Sequence, residues 1–133
     1  MKTTFKIIDG NLHEFDSNGK EIHYKRDDGY EEWSEFNSNG KLIHFKDSDG
    51  FEYWREYDSD GNEIHFKDSN GDEYWYEYDS NGKLIHYKDS NGYETWYDSN
   101  DNKITKKEFD KLNSSCDGKV VEVDGKKYQL KLI

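Results

Sequence analysis

Proline and alanine are both missing from this chain of 133 residues. A helical bundle without alanine, the strongest helix former, is a poor candidate. Cysteine occurs once, at Cys116, so neither an intramolecular disulfide nor a cysteine metal cluster can form. Apolar residues are scarce at 31%, and no stretch approaches the roughly 20 needed to cross a bilayer. The N-terminal run MKTTFKIIDG lacks the apolar core of a signal peptide, so the chain reads as cytoplasmic. Positive charge is also short: 19 Lys and Arg face 30 Asp and Glu, a net charge of −11. That balance argues against direct nucleic-acid binding, which needs clustered Lys and Arg, and against an anionic membrane. It allows a basic protein partner.

Aromatic residues, in contrast, reach 17%. Together with strict patterning, they argue against the disorder that high charge would otherwise suggest. Four units follow one another without insertion, at 16–36, 37–57, 58–78 and 79–99, each 21 residues long. Such a period marks an array in which each unit covers the next. Every unit holds two turn signals of the Asp-Ser-Asn-Gly kind, suited to a type I turn followed by a left-handed glycine. Between them lie strand-length segments rich in Ile, Tyr, Phe and Trp. Each unit therefore reads as a β-hairpin. FKII, Asp9-Gly10 and NLHEF add one more before the repeats, for about ten strands in all.

An odd period cannot return side chains to the same face through two identical turns. Either one turn differs by a residue or one strand carries a bulge. A three-residue loop at KDSNGY sets Lys88 opposite Glu94 and His86 opposite Trp96, and likewise Lys67–Glu73 and His65–Trp75. One face then carries Ile85, Tyr87 and the Tyr/Phe column, the other Lys, His, Trp and Glu. Aromatic rings on both faces suit a single-layer twisted sheet, or one curled into a coil or barrel.

Residues 100–133 depart from the repeat. Thr105 and Glu108 form a capping-box pattern, with Ile104 and Phe109 placed as a hydrophobic staple, and predict a helix over Lys106–Ser114. KVVEV, Asp124-Gly125 and KKYQLKL predict a last hairpin, with Val121, Val123, Tyr128, Leu130 and Leu132 on one face. Helix and hairpin would cap the array. The expected fold is all-β: one domain over 1–133, with an N-terminal hairpin at 1–15, repeats at 16–99 and a cap at 100–133.

Few residues offer chemistry. His23, His44, His65 and His86 recur two strands apart, roughly 9.6 Å, too far to share a metal ion. The turns Asp47–Gly50 and Asp58–Gly61 open like calcium loops but lack the distal bidentate Glu. Asp98, Asn100, Asn102 and Glu108 resemble an EF-hand loop, yet the loop glycine is missing and Glu108 falls one position early. The pairs Glu52/Glu56 and Glu73/Glu77 lie about 13 Å apart along a strand, beyond glycosidase carboxylate spacing. Asp117 beside Cys116 does not activate a thiolate. Neither a cofactor, a metal nor a catalytic role is expected.

Residues 16–99 resemble the YD repeats of RHS-type proteins through Tyr76-Glu77-Tyr78-Asp79, Gly82, Leu84, Asp89 and Gly92. They are also similar to MORN-variant repeats through Trp75, Tyr78, Asn81, Gly82, Lys83 and Leu84. RHS proteins are large shells around a toxin, and four units enclose nothing. MORN-type arrays serve as binding platforms, and that resemblance implies binding. The expected function is a non-enzymatic protein-binding module, an acidic stoichiometric inhibitor of a basic or nucleic-acid-handling protein, of the anti-CRISPR or toxin-immunity type. Expected contact residues are Trp33, Trp54, Trp75, Tyr53, Tyr74 and Tyr76, with rim acids Asp49, Asp58 and Asp60. A carbohydrate- or cation-binding module is one alternative. Self-assembly through an edge strand or an aromatic face is another.

Overall fold

The computed structural model of the protein describes residues 2–114, 120–123 and 126–129. Ten strands alternate with tight turns: β1 (Thr4–Ile8), β2 (Asn11–Phe15), β3 (Glu21–Lys25), β4 (Glu31–Phe36), β5 (Leu42–Asp47), β6 (Glu52–Tyr57), β7 (Glu63–Asp68), β8 (Glu73–Tyr78), β9 (Leu84–Asp89) and β10 (Glu94–Tyr97). A short β11 (Lys103–Ile104) follows, then helix α1 (Lys106–Ser114). The first 11 strands form one antiparallel sheet in sequence order. The sheet is an open meander, since β1 and β11 stand at opposite ends, and the barrel alternative is excluded. At about 4.8 Å per strand it is close to 50 Å long. No helix among the described residues is long and apolar enough to cross a membrane.

Both turns of every unit have the same form. Asp58 N–H donates to Asn62 O and Gly61 N–H to Asp58 O, and the other turn repeats this with Asp68, Asp72 and Gly71. Gly61 sits at φ +86°, where a side chain would be strained. In most turns the leading acid completes the loop: Asp58 Oδ1 accepts from Asp60 N and Asn62 N, whereas in the turn led by Arg26 it is Asp28 that accepts from Tyr30 N. Asn37 makes the same pair of bonds in its own turn. These are the three-residue loops the sequence suggests, and the pairings Lys88–Glu94, His86–Trp96, Lys67–Glu73 and His65–Trp75 all form.

With equal turns, the odd residue must go elsewhere. Tyr78 pairs with Leu84 while Glu77 pairs with His86, which leaves Ile85 as an extra residue. The same shift sets out Ile64, Ile43 and Ile22. A β-bulge at each isoleucine thus restores face parity once per unit. Ile85 is consequently not a regular member of the Tyr face. Ile43 and Ile64 line a hollow together with His44 and Trp54.

No apolar residue among those described is buried; the buried residues are Asp47, Asp68 and Thr95. A one-layer sheet has no interior, so cohesion comes from half-buried rings side by side and from hydrogen bonds at the rims. Along one rim the units are joined by serines. Ser69 N–H donates to Glu52 O at 2.8 Å, and Ser69 Oγ accepts from Glu52 N at 3.0 Å. Ser48 does the same with Glu31, and Ser90 with Glu73.

The C-terminal end departs from the sequence expectation by one strand. The turn led by Asp98 carries the chain into β11, which pairs Ile104 with Trp96 and Lys103 with Tyr97. Helix α1 spans the predicted residues, and Glu108 N–H donates to Thr105 Oγ1 at 3.1 Å as the capping pattern requires. Phe109 reaches His86, with ring centroids 6.2 Å apart. The last hairpin, β12 (Val120–Val123) and β13 (Lys126–Gln129), forms a two-stranded sheet of its own. Cys116, the Asp124-Gly125 turn, Leu130 and Leu132 lie outside the described residues.

Candidate protein-binding faces

Cross-strand pairing sorts the side chains into two different faces. On one, each Trp lies flat against the His of the preceding strand. The His23–Trp33, His44–Trp54, His65–Trp75 and His86–Trp96 ring centroids are 5.3–5.5 Å apart, and the planes differ by 8–15°. A glutamate bonds each imidazole on one side: His44 Nε2 is 2.7 Å from Glu52 Oε1, and His65 Nε2 is 2.8 Å from Glu73 Oε1. A second glutamate approaches the other ring nitrogen. His44 Nδ1 lies 3.4 Å from Glu35, His65 Nδ1 3.7 Å from Glu56, and His86 Nδ1 3.1 Å from Glu77. The hydrogen bond with His23 holds the Glu31 carboxyl below the usual range, aided by Lys25.

Three of these partners point outward. The side chains of Glu35 and Glu56 are 68% exposed, and that of Glu77 63%. Beside them Trp33 and Trp54 are 40% exposed and Trp75 36%. Trp96, by contrast, is half-buried where β11 and α1 close the sheet. So Trp and carboxylate alternate along this face, with a repeat of about 9.6 Å, two strand spacings.

The opposite face is a continuous ladder of Tyr and Phe. Phe45 meets Tyr53 at 5.1 Å, Tyr53 meets Phe66 at 5.7 Å, Phe66 meets Tyr74 at 5.5 Å, and Tyr76 meets Tyr87 at 5.4 Å. The Arg55 guanidinium lies over the Tyr53 and Phe66 rings and reaches Glu63 at 3.4 Å. Burial pushes Tyr87 up to about 12, with Asp89 adding to the effect. Tyr30 rises to about 12 for the same reason, and its hydroxyl donates to Glu32 and Asp47. Both phenol hydroxyls thus donate to carboxylates of the protein, that of Tyr87 to Asp89 at 3.3 Å.

The nine expected contact residues therefore divide. Trp33, Trp54 and Trp75 lie together on the Trp/His/Glu face. Tyr53, Tyr74 and Tyr76 are half-buried on the other. Asp58 and Asp60 occupy one rim and Asp49 the opposite one, in turns at the two ends of the strands. One flat partner cannot touch all three groups. Sequence reasoning missed the outward acids Glu35, Glu56 and Glu77 as members of the Trp row. The signal was the cross-strand one: Glu eight residues after each His closes the turn, and Glu nine before it lies on the strand behind.

No known protein family matches the chain, and no curated protein is similar to it in sequence. Among the described residues, no three or more His, Cys, Asp or Glu are grouped to hold a metal ion. The Asp98 carboxylate is instead engaged by its own turn, accepting from Asn100 N and Asn102 N.

Proposed function

We propose that this protein is a non-enzymatic binding module, an acidic stoichiometric inhibitor whose Trp33–Trp54–Trp75 face docks on a basic protein. The observation that carries the reading is the exposed row of indoles interleaved with the Glu35, Glu56 and Glu77 carboxylates. Indoles supply the large desolvated contacts that dominate protein interfaces. Outward carboxylates beside them select Lys or Arg on the partner and speed the encounter of opposite charges. A net charge of −11 acts in the same direction. The partner class that fits is a protein with a basic groove, such as a nucleic-acid-handling defence enzyme or a toxin. The resemblance of residues 16–99 to YD and MORN-type repeats, the latter known as binding platforms, supports binding over catalysis. The Tyr/Phe ladder then serves as the backing that holds the sheet.

The test is capture of proteins from host cytoplasm on the tagged chain at low salt and at about 0.5 M, where exposed charges are screened within a few ångströms. A basic protein held at low salt, released at high salt and lost with Trp54→Ala is the expected result. Loss of an interface Trp weakens binding by about 30-fold or more. Tyr74→Phe, on the other face, retains the partner. Equal capture by Trp54→Ala and the wild type refutes the assignment of the face.

A further inference from the structure

The two ends of the sheet are unlike. At one end, β11 is two residues long and α1 stands against β10. At the other, all five residues of β1 are exposed, including Phe5 at 59%, Ile7 at 69% and Ile8 at 46%. A long regular edge bearing large apolar side chains is a template for another strand. β1 lacks the devices that usually blunt such an edge, apart from Lys6: its pairing with β2 runs from Thr4–Phe15 to Ile8–Asn11 without a bulge.

The hairpin geometry shows which backbone groups are free. Asp9 and Gly10 have φ of 51° and 83°, the two-residue turn with both central residues left-handed. In such a hairpin the flanking pair, Ile8 and Asn11, exchanges hydrogen bonds, and bonded and non-bonded pairs then alternate. Thr4, Lys6 and Ile8 thus bond to β2, while the N–H and C=O of Phe5 and Ile7 point out from the open edge. Phe5 stands opposite Glu14, a neighbour of His23, so Phe5 and Ile7 lie on the Trp face.

We infer that β1 pairs with β1 of a second copy of this chain, antiparallel about a two-fold axis at Lys6, to give a continuous sheet of two chains. Only registers that set outward-facing residues against each other make hydrogen bonds. Of these, the one centred on Lys6 uses the whole strand. It places Phe5 against Ile7 of the second copy and Ile7 against Phe5, bonded pairs with apolar side chains together on the Trp face. Thr4 stands against Ile8 on the other face.

Charge permits this end and disfavours others. Residues 2–8 hold Lys2 and Lys6 and no acid in a chain of net charge −11. Joined end to end, the acidic bodies extend away from each other, and most of their charges are separated by more than the screening length of about 8 Å at physiological salt. Lys6 meets its own symmetry mate at the axis, which weakens the joint and keeps it reversible. Its Nζ already lies over the Phe15 ring of its own hairpin, 5.4 Å from the centroid. The joint is independent of the Trp-face reading and uses no other protein.

The experiment is sedimentation equilibrium of the purified full chain, with cross-linking to establish the register. The wild type should pass from one to two copies as concentration rises toward about 1 mM, the range of a weak contact, and should stop at two. Ile7→Pro removes only an outward N–H, so the hairpin survives, as circular dichroism would show, and the mass stays that of one copy. In a Cys116→Ser background, Lys6→Cys places two thiols at a non-bonded pair with Cα atoms about 4.5 Å apart, within disulfide reach. It should form a covalent dimer on mild oxidation, whereas Ser59→Cys on a rim should not. A chain that stays single at every concentration, a mass that grows beyond two copies, or equal cross-linking at Lys6 and Ser59 would each overturn the proposal.

Discussion

Replacing Ser48, Ser69 and Ser90 together by alanine should destabilise the array far more than the same change at Ser38, Ser59 and Ser80. All six serines hold the same place in the same kind of turn. Only the first three bridge to the neighbouring unit, with Oγ 2.9–3.1 Å from the N–H of Glu31, Glu52 and Glu73. Each serine N–H also donates to the carbonyl of the same glutamate, and alanine keeps that bond. The change therefore removes one neutral hydrogen bond per unit boundary, worth about 1 kcal/mol, toward the low side here because the freed N–H can reach water. The three sites are about 10 Å apart and share no partner, so their effects should add to about 2–3 kcal/mol. For a chain of this size that lowers Tm by about 10 °C. The control triple touches only solvent-facing hydroxyls and should change stability by under about 0.5 kcal/mol per site. Urea and thermal unfolding of the two triple variants measure this directly. Equal losses from both, or no loss from Ser48, Ser69 and Ser90, would refute serine stapling as what joins the units along that rim.

Deleting Ile64 alone should abolish cooperative unfolding, because β7 loses its bulge and every later unit turns its Trp row to the wrong side. Deleting the whole unit 58–78 preserves register and should leave a shorter, cooperatively folded sheet by circular dichroism. Acid should destabilise the fold through its turn carboxylates. Asp58 is held below its usual value chiefly by the backbone N–H of Asn62, so its contribution is present above the unfolded pKa and lost as pH falls through the folded one. Asp58→Asn should keep the turn, as Asn37 does, and flatten that part of the acid profile in pH-dependent unfolding. At alkaline pH the sign reverses: Tyr30 and Tyr87, raised to about 12, retain protons that the unfolded chain releases near 10, so stability should fall between those values. Absorbance titration should show a late tyrosine class that disappears on unfolding.

Much of this molecule could be read from its residues. The alternation of turn signals with aromatic segments dictates hairpins, because Asp, Asn and Gly favour the turn backbone and Tyr, Trp and Phe favour the pleat. The cross-strand pairs His65–Trp75 and Lys67–Glu73 follow from loop length alone, a local property. The helix at Lys106–Ser114 follows from Thr105 and Glu108 for the same reason. Other features depend on what lies beside them in space. An odd period demands an irregularity, but nothing local distinguishes a longer turn from a bulge; pairing across strands places it at Ile22, Ile43, Ile64 and Ile85. β11 is too short to carry a pattern and exists because β10 offers it an edge.

The division of the expected contact residues follows from the same alternation that sorted the two faces in the sequence. Trp54 and Tyr53 are adjacent in sequence and chemically alike, and a list of aromatic residues joins them. A strand sends neighbouring side chains to opposite faces, so the sheet separates Trp54, beside Glu56, from Tyr53, between Phe45 and Phe66. Residue types and period thus determined the hairpins, their turns and the abundance of rings. The tertiary structure decided where the odd residue of each unit is set out and which end of the sheet stays open, because both depend on contacts between strands that no local pattern encodes.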